Sequence, residues 1–290
     1  MRYFFFGAIV LSSLLFVGSA NAQTDVVCAT ASVPPVVDGD GTDSAWSQST
    51  SIVTHDLIAK IDIQLRCVYT NDEIFFLVSY PDASENSEHK TYSWDKNTQH
   101  YRTGPSREDS FVFKWNMEPV PVDLTLSGDT PYTADVWFWK SMRTNHSGYA
   151  DDKYQIYAYD SMPKATKLIN KFGRQVFLAR RGDEGTPAYQ VKTYAAYVND
   201  AMPKYIPQAS TGSRADVRAK GVWHKGHWVV EFGRRLVTGH SDDIELDSTL
   251  DYQFGVSRYE IAGRALDPNI EVPAFGSGEI SDDLNLIFAK

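Results

Sequence analysis

The sequence predicts an all-β protein built as a single β-sandwich, with long loops and at most short helices. Three observations favour this fold class: apolar residues recur at every second position in several segments, turn-forming residues separate these segments, and no segment has the period of a long amphipathic helix. The chain also contains 7 Trp, 16 Tyr and 15 Phe. These side chains are large enough to fill a core between two sheets or to line a cleft.

Two β-hairpins give the clearest patterns. Apolar residues alternate from Ile61 to Tyr69, the turn Asn71-Asp72 follows, and alternation resumes from Ile74 to Tyr80. A second hairpin is predicted around a Lys225-Gly226 turn. The two strands of this hairpin are Gly221–His224 and His227–Phe232. Further strands are expected at Phe111–Trp115, Ala134–Arg143, Tyr189–Val198, Tyr252–Tyr259 and Leu284–Phe288. A long loop is expected at 82–108 and a short helix within Met162–Phe172.

The N-terminus has the pattern of a secretory signal peptide. Arg2 precedes an uncharged apolar run over residues 3–17, and Ala20 and Ala22 form the small-x-small pattern of signal peptidase cleavage. We predict cleavage after Ala22, so that residues 1–22 are the signal peptide and residues 23–290 form one periplasmic or secreted domain. The alternative is a membrane anchor, but the run is shorter than the ~20 apolar residues of a spanning helix. No membrane span is expected in the mature chain.

Net charge and cysteine content limit the classes of partner and cofactor that the protein can bind. Cleavage would remove one of 28 basic residues and none of 37 acidic ones, which leaves a net charge of −10. Such a chain is a poor match to nucleic acid, because phosphate binding needs a basic face. Cys28 and Cys67 are predicted to form a disulfide in an oxidising compartment. No Cys-x-x-Cys-His sequence is present, which excludes a covalently attached c-type haem.

Three segments carry a family resemblance. The first, Pro34–Gly39 followed by Trp46, resembles the start of family 9 carbohydrate-binding modules. The other two are similar to the ethylbenzene dehydrogenase-related haem-binding domain family. They are Ala134–Lys140 with Arg143–Asn145 and Gly148–Asp152, and Asp216–Trp223 with Gly226–Trp228, Arg235-Leu236 and Thr238–His240.

This resemblance implies the β-sandwich of the carbohydrate modules and of DOMON-like domains. It also implies a non-covalent b-type haem, held between a Met and a Lys in the best-known members. Such proteins are small subunits of periplasmic molybdenum enzymes and pass electrons toward soluble cytochromes. The expected partner is therefore a molybdenum oxidoreductase subunit or a c-type cytochrome. This chain departs from some members in having a short loop before Ala134 that lacks Cys and His.

Candidate haem-binding residues concentrate near the predicted strand Ala134–Arg143. Strand alternation places Lys140 on an apolar face. The favoured interpretation is that its ammonium reaches the sheet edge or pairs with an acid, and the alternative is a neutral amine that binds iron. Met142 would project parallel to Lys140, so the two are not expected to bind one haem together. Met117 is the preferred thioether ligand, which makes Met117 and Lys140 the candidate iron ligands. The remaining candidates for the haem site are His146, Trp137 and Trp139.

Other readings of the sequence remain open. A carbohydrate-binding protein could stack sugars on Trp94, Trp223 or Trp228, and a haem-less interaction protein could use the same fold. The pairs Asp151-Asp152 and Asp242-Asp243 could bind calcium, although a solvated surface is the favoured interpretation. No hydrolase, nucleotide-binding or zinc-protease motif is present. We therefore expect an electron carrier or accessory subunit and not a stand-alone enzyme.

Overall fold

The structure, a computed structural model, describes residues 23–56, 61–259 and 283–290. The predicted signal peptide lies outside these residues. The described chain consists of β-strands and three short 3₁₀ helices, at Ser44–Gln48, Asn145–Ser147 and Gly212–Ala215, so the all-β prediction is confirmed. The strands are β1 (Thr24–Thr30), β2 (Ile52–Asp56), β3 (Ile61–Tyr69), β4 (Glu73–Pro81), β5 (Tyr92–Asp95), β6 (His100–Thr103), β7 (Ser110–Asn116), β8 (Tyr132–Lys140), β9 (Asp151–Ala158), β10 (Thr166–Ile169), β11 (Gln175–Gly182), β12 (Tyr189–Val191), β13 (Ala201–Met202), β14 (Tyr205–Pro207), β15 (Arg218–His224), β16 (His227–Arg235), β17 (Tyr252–Tyr259) and β18 (Leu284–Phe288).

Two sheets form the sandwich. The first sheet has the order β10-β11-β9-β8-β7-β17-β18-β1, and the second has the order β1-β3-β4-β16-β15 with β2 paired to β3. Strand β1 belongs to both sheets, since its first part pairs with β18 and Ala29 and Thr30 pair with β3. A strand shared in this way ties the two layers together at one edge.

Aromatic side chains from both sheets meet in the core. The ring centroids of Phe76 on β4 and Phe113 on β7 are 4.8 Å apart, and those of Phe113 and Phe232 on β16 are 5.0 Å apart. Trp139 on β8 meets Trp228 on β16 edge to face at 4.9 Å. Because aromatic pairs each contribute roughly 0.5–1.5 kcal/mol beyond their buried area, these contacts fix how the sheets face each other.

The predicted hairpins are present. Strands β3 and β4 pair antiparallel, as do β15 and β16. Lys225 and Gly226 both have positive φ angles, 48° and 84°, which matches the turn geometry that follows the twist of paired strands. Three local predictions are wrong: 82–108 contains β5 and β6, Met162–Phe172 contains β10 and no helix, and the strand predicted at Tyr189–Val198 ends at Val191.

A buried carboxylate anchors the first resemblance segment. Glu231 on β16 accepts hydrogen bonds from the backbone N–H groups of Asp38 (3.0 Å) and Gly39 (2.7 Å) and from Nε1 of Trp46 (2.8 Å). One side chain therefore holds both the Asp-Gly turn and the tryptophan of that segment against the second sheet.

The predicted disulfide joins Cys28 on β1 to Cys67 on β3, with an S–S distance of 2.04 Å. Both cysteines are fully buried in the main core, so the bond reinforces the shared edge between the sheets. Within the described ranges, no helix has the length and apolar character needed to cross a membrane.

Candidate functional site

The alternation of β8 separates two sets of candidate residues. Trp137 and Trp139 point into the core between the sheets. Phe138 and Lys140 point to the outer face of the first sheet, where they border a pocket. The predicted division of the strand into these two faces is confirmed. The two tryptophans are therefore core residues that do not line the outer pocket.

The outer face of the first sheet is covered at both ends. At one end, Leu124 and Leu126 from the loop after β7 pack with Tyr132 and Tyr157. At the other end, the β12–β14 pair forms a cap over Lys140, with the ring of Tyr189 5.3 Å from its Nζ. A pocket of about 170 Å³ lies under this cap, and it is lined by Val112, Val136, Phe138, Lys140, Arg143, Lys153, Tyr154, Gln155, Arg180 and Tyr189.

Lys140 and Asp151 form a buried ion pair at the inner end of this pocket. The side chains of Lys140 and Asp151 are 2% and 0% exposed, and Lys140 Nζ donates to Asp151 Oδ2. Arg214 pairs with the other carboxylate oxygen, Lys153 Nζ lies 3.5 Å from Oδ2, and the Tyr189 hydroxyl donates to Oδ2 at 3.1 Å. Three cations thus surround one carboxylate, so Asp151 keeps its charge balanced even without Lys140.

Burial and neighbouring charges shift the pKa values of this pair. Burial lowers the pKa of Lys140 to about 7, and the nearby Arg143 and Lys153 act in the same direction, while Asp151 opposes them. The charges of Lys140, Lys153 and Arg214 hold the pKa of Asp151 well below its ordinary value, against the effect of burial. Near neutral pH, Lys140 can therefore exist as a neutral amine with a free lone pair.

A second buried cluster borders the pocket at Arg143. The Glu108 carboxylate accepts hydrogen bonds from the backbone N–H groups of Met142 (3.0 Å) and Arg143 (2.8 Å) and pairs with the Arg143 guanidinium. His89 Nδ1 lies 3.2 Å from Glu108 Oε1. Burial, together with the charge of Arg143, lowers the pKa of His89 to about 2, so this histidine is neutral.

Met117 lies far from Lys140. The backbone N–H of Met117 donates to Thr133 O, seven residues before Lys140 along β8, which corresponds to about 23 Å of extended strand. Met117 lines a separate open cleft of about 510 Å³ together with Glu118, Asp243 and Glu245. The structure does not bring Met117 and Lys140 together, so the two do not form the ligand pair of one haem in this arrangement.

The other predicted residues occupy varied positions. Met142 is half-buried beside Glu108, and His146 is exposed in the helix Asn145–Ser147. Trp228 is buried in the core, so the prediction that it is an exposed sugar platform is wrong. Trp223 is half-buried and donates to Asp82 O at 3.0 Å, while Trp94 lies in a surface group of aromatic rings.

Sequence reasoning missed Asp151 as the partner of Lys140, and it missed Arg214, Tyr189 and His89 entirely. Asp151 stands next to Asp152 in the sequence, and that pair was interpreted as a solvated surface. The interpretation is wrong for Asp151 and Asp152, which are 1% and 0% exposed. The available signal was strand alternation, which sends neighbouring acids to opposite faces of one strand.

The pocket under the cap has some of the chemical features of a haem-binding site. It offers a nitrogen donor in Lys140, an apolar floor and a rim of cations that can pair with propionate groups. None of its lining residues is His, Met or Cys, and Lys140 is the most deeply buried of the lysines and tyrosines that line it. Its volume is below the ~300–1,000 Å³ typical of ligand sites, so a porphyrin fits only if the cap moves outward.

The fold and this site define a β-sandwich with a buried amine beneath a cap. The chain belongs to the ethylbenzene dehydrogenase family, whose sequence model matches residues 43–264, which confirms the resemblance found in the sequence. No curated protein matches the chain. Among solved structures, it is similar to a family 9 carbohydrate-binding module from Caldicellulosiruptor kristjanssonii in complex with glucose, at 10% identity and a TM-score of 0.39, over 92% of this chain and 96% of that one. The same module in complex with cellotriose gives a TM-score of 0.38 at 10% identity, over 92% and 95% of the two chains.

Proposed function

We propose that this protein is an exported b-type haem protein that transfers electrons, with Lys140 as one axial ligand. The observation that carries the proposal is the Lys140 pocket: a buried amine with a lowered pKa lies above an apolar floor and inside a cationic rim. Membership of the ethylbenzene dehydrogenase family supports it. A bound haem would supply a one-electron couple whose potential depends on the axial ligands and on burial.

The residues around Lys140 are arranged so that its amine can leave Asp151. Arg214 and Lys153 would continue to neutralise the carboxylate after Lys140 turned toward the pocket. Arg143 and Arg180 on the rim would pair with the haem propionates. By contrast, the cleft at Met117 carries acidic side chains on its walls, which would repel propionates. Charge therefore favours the Lys140 pocket over the larger cleft.

The second axial ligand is proposed to come from the cluster around Glu108. His89 and Met142 both lie in this cluster, next to Arg143 on the pocket rim. His89 is the preferred choice because it is already neutral, and a neutral imidazole is a common ligand of haem iron. Met142 is the alternative: β8 ends at Lys140, so Met142 lies in the following turn and not in parallel with Lys140 on the strand, and a thioether would raise the reduction potential.

The proposed location is outside the cytoplasm. The signal-peptide pattern at residues 1–22 supports export, and the buried Cys28–Cys67 disulfide fits an oxidising compartment. The proposed partner is a molybdenum oxidoreductase subunit or a c-type cytochrome, because the family to which the chain belongs is that of a multi-subunit enzyme. In this role the protein would carry electrons and would leave catalysis to its partner.

The test is to express the full chain in a haem-replete host and purify it from the periplasm. One b-type haem per chain, with sharp reduced absorption bands typical of a low-spin six-coordinate iron, would support the proposal. A folded, colourless protein that also fails to take up added haemin would overturn it.

A second candidate function, carbohydrate binding, rests on the surface aromatic group. Trp94 contacts Tyr101 at 4.9 Å and Tyr197 at 5.3 Å between ring centroids, and Tyr194 lies 5.5 Å from Tyr101. Trp94, Tyr101 and Tyr194 are half-buried and Tyr197 is exposed, so the accessible parts of these rings could stack on sugar rings. A colourless protein that binds soluble glucans, and loses this binding in a Trp94→Ala variant, would favour this function.

A further inference from the structure

A cluster of buried acids lies on the face of the first sheet opposite to Lys140. Asp135 on β8 and Asp152 on β9 point inward, Asp183 follows β11, and Asp243 lies in the loop after β16. All four residues are at most 5% exposed. One carboxylate oxygen from each of Asp135, Asp152 and Asp243 lies within 4.8 Å of the other two. The inner face of the sheet therefore gathers like charges in a place where water does not screen them.

Two members of this cluster lack partners. Both carboxylate oxygens of Asp152 and both of Asp183 are buried and accept no hydrogen bond from any residue that the structure describes. Leaving a buried acceptor without a partner costs about 1–3 kcal/mol, and more for a charged group. Asp183 lies beside Asp152, because its backbone N–H donates to Asp152 O at 3.4 Å. Two neighbouring buried carboxylates therefore have no cation or hydrogen-bond donor beside their oxygens among the residues that the structure describes.

The protein supplies too little positive charge here. Arg234, itself fully buried, has NH1 3.1 Å from Asp135 Oδ2 and NH2 3.4 Å from Asp243 Oδ2. His240 Nδ1 lies 4.0 Å from Asp243 but 2.5 Å from Asp216, so its interaction is mainly with Asp216. Four ionised carboxylates against one guanidinium leave a net charge of −3 in the interior.

We propose that Asp135, Asp152 and Asp243 bind a structural calcium ion, with Asp183 as a further buried acid beside Asp152. Calcium takes oxygen ligands at about 2.3–2.6 Å, so two ligands of one ion can be at most about 5 Å apart. The 4.8 Å limit among Asp135, Asp152 and Asp243 meets this condition. Protons are the competing occupants, because burial raises the pKa of Asp183 to about 9 and that of Asp243 to about 7.

An ion can reach the cluster from solvent. Asp243, with its neighbours Ile244 and Glu245, lines the open cleft of about 510 Å³ that also contains Met117. The acidic walls of that cleft would attract a cation. The inferred calcium ion is independent of the proposed haem, since Asp151 and Asp152 are consecutive residues that serve opposite faces of β9.

The experiment measures thermal unfolding of the purified full chain after treatment with EDTA. Adding calcium chloride is expected to raise the Tm by several degrees, with one ion bound per chain by isothermal titration calorimetry. Magnesium chloride is expected to have a smaller effect, because Mg²⁺ demands stricter geometry and keeps its water ligands. Each comparison uses a single preparation, so the haem content is the same with and without calcium.

Asp152→Asn and Asp243→Asn test the site itself. Each variant should lose at least tenfold in calcium affinity, because one of the three carboxylate ligands is replaced by a neutral amide. Asp72→Asn changes an exposed acid that is not part of the cluster and should respond to calcium as the wild type does. A wild type that binds no calcium and shows no Tm change would overturn the proposal and leave protonation as the way in which the cluster is stabilised. A calcium response retained in full by both cluster variants would also overturn it.

Discussion

Lys140 and Asp151 form an ion pair diagonally across the β8–β9 strand pair, and both side chains are almost completely buried. Taking an ammonium and a carboxylate out of water costs several kcal/mol per ion, which a single pair recovers only with good additional contacts. Asp151 has those contacts in Arg214, Lys153 and Tyr189. Lys140 has fewer, and it borders the pocket. Because of this asymmetry, Lys140 is the member of the ion pair that can leave its partner and bind a haem iron.

Haem affinity should increase with pH through about pH 7. Lys140 must lose its proton before it can bind iron, and its folded-state pKa is lowered to about 7. Below that pH, affinity should fall by about tenfold per unit, and above it affinity should level off. Haemin titrations at pH 5.5, 6.5, 7.5 and 8.5 measure this dependence. An affinity that stays flat over the whole range would show that Lys140 is not a ligand.

Asp151→Asn should destabilise the fold strongly. The change leaves Lys140, Arg214 and Lys153 close together with no countercharge, and breaking a buried ion pair costs about 3–5 kcal/mol. Urea unfolding followed by tryptophan fluorescence gives the free energy of unfolding. Asp72→Asn, on the exposed surface, is the control and should change it by less than about 0.5 kcal/mol. A loss at Asp151 as small as the control would show that the pair is not buried as described.

Gly221→Ala should disturb the core next to Trp139. A Cβ at position 221 would lie 2.4 Å from Cζ2 of the Trp139 ring, and that ring is packed against Trp228. Overpacking of this kind typically costs about 1–3 kcal/mol. Near-ultraviolet circular dichroism should change along with stability, because the tryptophan pair is displaced. Val222→Ala, at an exposed position on the same strand, should leave the spectrum unchanged.

Glu231→Gln should loosen the segment around Trp46. Glu231 accepts from two backbone N–H groups and from the Trp46 indole, and an amide has one acceptor oxygen where the carboxylate has two. We expect a loss of about 1–3 kcal/mol in the free energy of unfolding, with faster hydrogen exchange at residues 38 and 39. Glu245→Gln, at an exposed site, serves as the comparison. Unchanged exchange at residues 38 and 39 would contradict this role of Glu231.

Removing the disulfide should destabilise the sandwich without changing its fold. Cys28 and Cys67 are 39 residues apart, and a closed loop of that length stabilises by about 4 kcal/mol in the chain-entropy model. The double variant Cys28→Ser, Cys67→Ser should show this loss in urea unfolding under oxidising conditions. The wild type measured with a reductant should approach the same value. Equal stability of the oxidised wild type and the double variant would contradict the prediction.

Local patterns in the sequence predicted the fold well. Alternation placed Trp137 and Lys140 on opposite faces of β8, and turn residues located the β15–β16 hairpin. These features depend on neighbours along the chain and on strand geometry. The short strands β5 and β6 at 82–108 and the strand β10 escaped prediction because each has only four residues, which is too short to show a clear alternation, even though β5 pairs with β6 and β10 with β11 as local hairpins.

The candidate site was predictable only in part. Lys140 stood out because a charged residue interrupts an apolar strand face, and the sequence leaves open whether it binds iron, reaches the sheet edge or pairs with an acid. The identity of that acid depends on the β8–β9 register, which places Asp151 opposite Phe138. His89 enters the site from a polar loop through contacts with Glu108 and Tyr205. A local sequence pattern does not reveal which residues of distant segments come into contact.

The most direct test of the account is the absorption spectrum of the haem-loaded protein in the wild type, Lys140→Gln and Lys153→Gln. Glutamine at 140 can still donate to Asp151 but cannot bind iron as a neutral amine does, while Lys153 lies on the rim. The account predicts that the wild type and Lys153→Gln share one low-spin spectrum. Lys140→Gln should give a high-spin spectrum or lose haem altogether. An unchanged low-spin spectrum in Lys140→Gln would contradict the assignment of Lys140 as an axial ligand.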